Sequence, residues 1–192
     1  MPNRIAKFEK VSYEQFEKDY ISAVLFHAAQ FHQETIKDDE YKSPFSTDPV
    51  DIHRIYDNIK IPERGTSQSA GYDFFPPFNF RFPADKRSIL IPTGIRCKID
   101  DGWMLAAFPR SGLGFKYRVA LDNTVGIIDA DYYNAKNEGH IMLKLHTDTM
   151  ADVDIDEGQG IAQGIFIPYG ITFDDTANKE RIGGIGSTDK KE

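Results

Sequence analysis

From residue 59 to residue 168 the chain is a succession of short apolar runs cut apart by glycine, proline, aspartate and asparagine. The runs fall at 59–61, 72–75, 78–82, 88–91, 95–99, 103–108, 119–121, 126–128, 140–145, 153–155 and 161–168. Segments this short, this closely spaced and this rich in β-branched and aromatic residues read as strands, and roughly a dozen of them predict a sandwich or barrel. No second helical stretch of convincing length follows residue 58, which disfavours a parallel α/β architecture. Ten prolines and fifteen glycines are scattered as punctuation rather than gathered in one tract. That distribution also suits a turn-rich β domain.

The N-terminal part obeys a different period. Residues 11–33 read as a helix, opened by a capping box of Ser12 and Gln15 and a hydrophobic staple of Val11 and Phe16. Phe16, Tyr20, Val24 and Phe31 fall near one face, with Ile21, Leu25 and Ala28 beside them, so the stripe must be buried against something. His27 and His32 are five residues apart and face different ways, so packing or surface roles are expected rather than metal ligation. Residues 37–57 are polar, broken by Pro44 and Pro49, and read as a linker with one short turn of helix. The expected organisation is a helical extension and linker over 1–58, a β domain over 59–180 and a flexible glycine-rich arm over 181–192.

Composition narrows the function classes. A formal net charge of −7 argues against a nucleic-acid partner, because such binding needs Lys and Arg to neutralise phosphates. The single cysteine, Cys97, cannot form an internal disulfide, and no signal peptide or membrane span is evident, so a cytoplasmic setting is expected. The acidic stretch 151–157 alternates Asp152, Asp154 and Asp156 with Val153 and Ile155. Its period is that of a strand with a solvated face, and it lacks the glycine and ligand spacing of a calcium loop.

Chemistry concentrates between residues 108 and 133. Within about twenty residues lie Arg110, Ser111 and Gly112, then Asn123, Gly126, Asp129, Asp131 and Tyr132. Donors for oxyanions, a carboxylate able to activate water and a flat ring together suit a phosphorylated, ring-bearing ligand. Asp129 follows an apolar strand end and can project into a cleft, and Asp131 would share its face if the strand continued. For Asp131 alone a hydrogen bond to a turn is the commoner role, and for a single Tyr at a strand end it is core packing.

Five stretches in order resemble the trimeric dUTP pyrophosphatases, the dUTPases: AGYD at 70–73, PRSGLG at 109–114, NTVGIIDADY at 123–132, GQGIAQ at 158–163 and GGIGST at 183–188. The resemblance spans residues 59–188 and implies an all-β jelly-roll (β-clip) domain carrying the N-terminal helix as an addition. It further implies a homotrimer with shared active sites and Mg²⁺-dependent hydrolysis of dUTP to dUMP and pyrophosphate. Under it Asp129 activates the attacking water, and Tyr132 packs on deoxyribose where a 2′-hydroxyl would clash. Asn123 and the backbone from Gly126 to Ile128 read uracil. Arg110, Ser111 and Gly112 hold phosphate, Asp73 and Gln163 hold waters on the magnesium, and Arg181, Ser187 and Thr188 close over the triphosphate of a neighbouring site.

This sequence departs from the pattern in places. Gly160 stands where an Arg is common, Ile185 where a Phe stacks on uracil, and Arg181 is one residue nearer the glycine pair. An enlarged hairpin follows Tyr132 over 133–140, a feature associated with dUTPases of some Gram-positive bacteria and their phages. Two alternatives stay open at this level: a dCTP deaminase-like enzyme of the same fold, and a catalytically silent regulatory protein. The deaminase needs a Glu on the strand after the hairpin, where this chain offers Lys144.

Overall fold

The computed structural model describes residues 3–32, 46–82, 88–178, 181 and 183, with backbone alone for 30–32. In chain order the elements are β1 (Ala6–Lys10), α1 (Tyr13–His32), α2 (Pro49–Asp57), β2 (Glu63–Arg64), β3 (Tyr72–Phe74), β4 (Phe80–Phe82), β5 (Ile89–Pro92) and β6 (Ile95–Ile99). Then follow β7 (Trp103–Pro109), α3 (Ser111–Tyr117), β8 (Val119–Leu121), β9 (Gly126–Ile128), a 3₁₀ turn η1 (Ala130–Asn134), β10 (Met142–Thr147), β11 (Val153–Ile155) and β12 (Ala162–Pro168).

The strands form a five-stranded sheet in the order β2-β3-β12-β7-β9, a three-stranded sheet β5-β10-β8, and the pairs β1-β6 and β11-β4. The pairings are antiparallel, as expected for an all-β domain. Alternation sets which side chains enter the core: Ile95, Cys97 and Ile99 of β6 are buried, as are Leu143, Leu145 and Thr147 of β10, while Lys144 points out. Burial pushes the Cys97 thiol up to about 12, so the one cysteine is inert packing. The acidic alternation behaves as a strand face: Val153 and Ile155 are buried, and exposed Arg81 on β4 meets Asp154 at 2.6 Å and Asp152 at 3.5 Å.

Four local readings are corrected. Strand β1 was not anticipated; it pairs along its whole length with β6, Ala6 opposite Ile99 and Lys10 opposite Ile95. The linker holds a nine-residue helix rather than one turn, because Asp48 caps it by accepting from the Val50 N–H at 2.8 Å and Pro49 sits in its first turn. Residues 59–61 are not a strand, since the Ile59 N–H closes the end of α2 on the Tyr56 carbonyl at 3.2 Å. The Pro109–Gly112 turn continues into helix α3.

Helix α1 begins as expected, with the Gln15 N–H donating to Ser12 Oγ at 3.2 Å and both staple residues buried. Its capping box is only half local. The Ser12 N–H donates at 2.8 Å to Glu138, far along the chain, while the Gln15 amide donates to Asp19 at 2.7 Å. The buried face runs through Phe16, Tyr20, Ala23 and His27; Ile21 (44% exposed) and Leu25 (64%) lie outside it. Phe31 and His32 lie outside the described side chains.

His27 accepts from the Leu90 N–H at 3.3 Å and so occupies a donor on β5. Burial lowers its pKa from 6.5 to about 4. The folded protein therefore keeps His27 neutral while the unfolded chain takes up a proton below about pH 6.5. The contribution is full above pH 6.5 and is lost as pH falls toward 4, by up to ~3 kcal/mol. Melting temperatures of the protein and of His27→Asn between pH 7 and 4.5 should show a shallower acid decline in the variant. Equal slopes would assign the decline to other groups.

Candidate active site

The β8–β9 connection, which passes from the three-stranded to the five-stranded sheet, and the turn after it build one side of a cavity of about 370 Å³. Asn123, Gly126, Ile127, Ile128 and Tyr132 line it, together with Leu143 and Lys144 of β10. The turn is tight: the Thr124 N–H donates to the Leu121 carbonyl at 3.0 Å, and Thr124 takes a positive φ of 66°. A side chain at Gly126 would press on Ala107 of β7, its Cβ 3.3 Å away, so glycine keeps this backbone close to the sheet. The volume suits a nucleoside-sized ligand.

Strand β9 ends at Ile128, and Asp129 leaves it with extended backbone as the residue preceding η1. Its carboxylate makes no cap hydrogen bond, which frees it from local structural duty. Because the 3₁₀ turn intervenes, Asp131 does not continue a strand face beside Asp129. Both carboxylates instead accept from Arg181, at 2.8 Å and 3.3 Å. The Arg181 guanidinium stands 5.0 Å from the Tyr132 ring centre and also borders the cavity. Tyr132 is buried with its ring on the cavity, and its hydroxyl donates to the His140 carbonyl at 2.8 Å.

A second group of polar residues gathers on the five-stranded sheet. Asp73 of β3 and Phe108 of β7 flank Gln163 of β12 in register. Arg110, just past β7, meets Asp73 at 2.5 Å, and the Gln163 amide donates to the Pro109 carbonyl at 3.4 Å. Ser111 and Gly112 open α3, where backbone N–H groups have no intrahelical acceptor. None of Asp73, Arg110, Ser111, Gly112 or Gln163 lines the cavity, and Asp129 and Asp131 reach its edge only through Arg181. Ser187 and Thr188, expected as phosphate donors, lie outside the described residues, as does Ile185.

Gly160 explains the position of Arg110. A Cβ there would overlap the Arg110 guanidinium and lie 2.9 Å from its Cδ, so the missing side chain is the space in which Arg110 lies against Asp73. Gly160→Ala should dislodge Arg110 and, with the residue acting on phosphate, alter KM for a triphosphate while leaving the melting temperature within a degree or two. Half-exposed ion pairs contribute only ~0–1 kcal/mol. Unchanged kinetics would show that the Arg110 position is immaterial.

The chain matches the family model described as dUTPase over residues 57–188. It belongs to the dUTPase family. The deoxyuridine 5'-triphosphate nucleotidohydrolase of Lactococcus lactis subsp. lactis is 39% identical over 133 residues, covering 68% of this chain and 88% of that protein. The dUTPase of Streptococcus mutans, 35% identical, superimposes with a TM-score of 0.55 over 60% of this chain and 90% of its own. The dUTPase from phage phi11 of S. aureus, 21% identical, shares the fold with a TM-score of 0.53 over 64% of this chain and 91% of its own. The domain is thus the all-β jelly-roll of a dUTPase. The family match begins at 57, after β1, α1 and most of α2.

A magnesium ion fits the donor set only in a particular way. Among the described residues no three His, Cys, Asp or Glu side chains converge to hold a metal directly. Asp73 and Gln163 present a carboxylate and an amide oxygen on adjacent strands, and the Gln163 Oε1 lies over Gly71, where a Cβ would stand 2.6 Å away. Hard oxygens of this kind suit an ion that keeps its waters and arrives with phosphate. A structure of the phage phi11 enzyme is described with a structural Mg(II) ion.

Sequence reasoning passed over Glu9 and Asp19, and read Ser12 only as a cap, although all three contact the residues around Tyr132; it also passed over Asp122, which borders the cavity and meets Lys144 at 2.9 Å. Lys144 had been weighed only as a missing Glu. The Ser12 capping signal was legible, but nothing local marks Glu138 as its partner.

Proposed function

We propose that the protein hydrolyses dUTP to dUMP and pyrophosphate, with Asp129 as the group that takes a proton from the attacking water. The observation that carries this reading is the placement of Asp129, free of cap duty, at the end of the strand that lines the nucleoside-sized cavity. Main-chain groups from Gly126 to Ile128 and the Asn123 amide face the base edge, and an amide supplies both a donor and an acceptor. The Tyr132 ring meets the deoxyribose. Arg110, Ser111 and Gly112 donate to the phosphates, where charge develops during in-line displacement. Mg²⁺, held through its waters by Asp73 and Gln163, would offset that charge when bound with substrate.

The Arg110 group lines no part of the cavity of its own chain, so a site that uses both groups can draw them from different copies of the chain. That separation supports a homotrimer with shared sites. Arg181 then exchanges Asp129 and Asp131 for phosphate once substrate arrives, and Ser187 and Thr188 are further phosphate donors in this reading. Among the described residues no helix is long and apolar enough to cross a membrane. With the single buried thiol, this supports a cytoplasmic enzyme that limits dUTP and supplies dUMP.

Incubation with Mg²⁺ and dUTP, dCTP, dTTP or UTP, resolving base and phosphate products, tests the reading. Pyrophosphate from dUTP alone is expected. Deamination of dCTP would move the protein to the deaminases, and no turnover would make it a silent member. Tyr132→Ala should raise the UTP to dUTP ratio of kcat/KM by removing the ring that excludes the 2′-hydroxyl.

A further inference from the structure

Three groups from the segment ahead of the family match converge on the segment after Tyr132, which the structure forms as a loop rather than the expected hairpin, since β9 and β10 pair with other strands. Tyr133 donates its hydroxyl to Glu9 at 2.7 Å. The Ser12 N–H and hydroxyl donate to the two oxygens of Glu138, at 2.8 Å and 2.6 Å. Asp19 accepts from His140, fully buried, at 2.6 Å. The other ring nitrogen of His140 accepts from the Gly94 N–H at 2.7 Å, so Nδ1 carries the proton and the ring orientation is fixed from both ends. The carbonyl of this same His140 receives the Tyr132 hydroxyl, and the Asn137 amide donates to that hydroxyl at 2.8 Å. Gly139 makes the close return possible: it takes a φ of 69°, and a Cβ would lie 2.6 Å from the Tyr132 carbonyl oxygen. A carboxylate on an added helix thus reaches, through one buried imidazole, the residue that holds the cavity's aromatic wall.

We propose that the N-terminal segment positions the sugar-facing ring, with Asp19 acting through His140 to hold Tyr132 against the cavity. The inference rests on the reading of Tyr132 as the ring that meets the sugar. Asp19 is a positioning residue, since it borders His140 and not the cavity. Its loss frees the imidazole, and with it the carbonyl that anchors the tyrosine hydroxyl. The effect therefore falls on binding and sugar discrimination more than on the chemical step.

The test uses the full chain with Asp19→Ala, Asp19→Asn and Tyr132→Ala. Amide exchange over residues 130–140 is measured alongside kcat and KM for dUTP and UTP. Asp19→Ala should speed exchange in that loop, raise KM for dUTP and cut the dUTP to UTP preference roughly tenfold, while kcat holds within about twofold. Asp19→Asn should restore most of the preference, because its amide oxygen can accept the same His140 N–H. Should Asp19→Ala fail to fold, Ser12→Ala, which cuts the hydroxyl contact to Glu138, gives the same readouts with a smaller change. If Tyr132→Ala shifts the preference and the Asp19 variants do not, the positioning role is wrong and the sugar reading stands. If Tyr132→Ala leaves the preference unchanged, the sugar reading falls and this inference falls with it.

Discussion

Asp129→Asn should fold and melt like the parent, bind dUTP, and turn it over ~10²–10⁴-fold more slowly, the range attributed to a single positioned general base. Folding should survive because the carboxylate caps nothing and is half exposed, with Arg181 as its partner. The amide oxygen can still accept from Arg181, so the turn geometry should persist. What disappears is the ability to take a proton from water. The Arg181 contact also bears on the starting state. The carboxylates of Asp129 and Asp131 are half exposed and so screened by solvent, and phosphate can take their place on Arg181. Steady-state kinetics with binding of a non-hydrolysable dUTP analogue separates the outcomes. Near-normal kcat would remove Asp129 from the chemistry, and lost binding with a lowered melting temperature would give it a structural role.

The β architecture was legible because period-two alternation needs no distant information. The runs of β6 and β11 show which side chains go inward, and burial follows that alternation at Cys97 and Val153, whereas β7 is apolar throughout and buried at three successive residues, Leu105 to Ala107. Strand β1 was not legible for the opposite reason. Residues 6–10, AKFEK, carry one large apolar side chain, and they are extended because β6 offers a free edge. Only the tertiary partner decides such a segment. The face of α1 was misjudged similarly. Helical spacing allowed Ile21 and Leu25 to join the stripe, but the sheet beneath accepts Ala23 and His27 instead.

The residues of the candidate site divide along the same line. Asp129 and Arg110 stood out because their types and spacing suit a phosphorylated ligand, and Tyr132 stood out only through the motif it belongs to. Asp19 carried no such mark. A carboxylate in the second turn of an amphipathic helix is ordinarily a solvated group, and only the fold brings His140 to it from 121 positions away. Gly160 was visible as a departure, yet its consequence depended on Arg110 filling the space that a side chain would occupy.

Deleting residues 1–50 should yield protein that aggregates or melts far below the full chain. The opposite outcome has an argument in its favour, since the family match begins at residue 57 and the Lactococcus relative is covered over 88% of its length by the matching region. Packing in this chain argues the other way. Val11, Phe16 and Tyr20 are all but completely buried, and Phe8 stands 5.3 Å from Tyr72, 5.7 Å from Phe74 and 5.8 Å from Phe166, ring centre to ring centre. At ~1.5–3 kcal/mol for each large side chain, Val11, Phe16 and Tyr20 alone account for ~5–9 kcal/mol. A domain of this size has only ~5–15 kcal/mol in all. The deletion also strips β1 from β6, takes His27 from the Leu90 N–H and leaves His140 buried without Asp19. An exposed strand edge beside an apolar surface is a template for association between chains. Size exclusion and thermal melting of the shortened protein decide the matter. A monodisperse species melting with the parent would show that the β domain carries its own stability and that the N-terminal segment acts only on the loop after Tyr132.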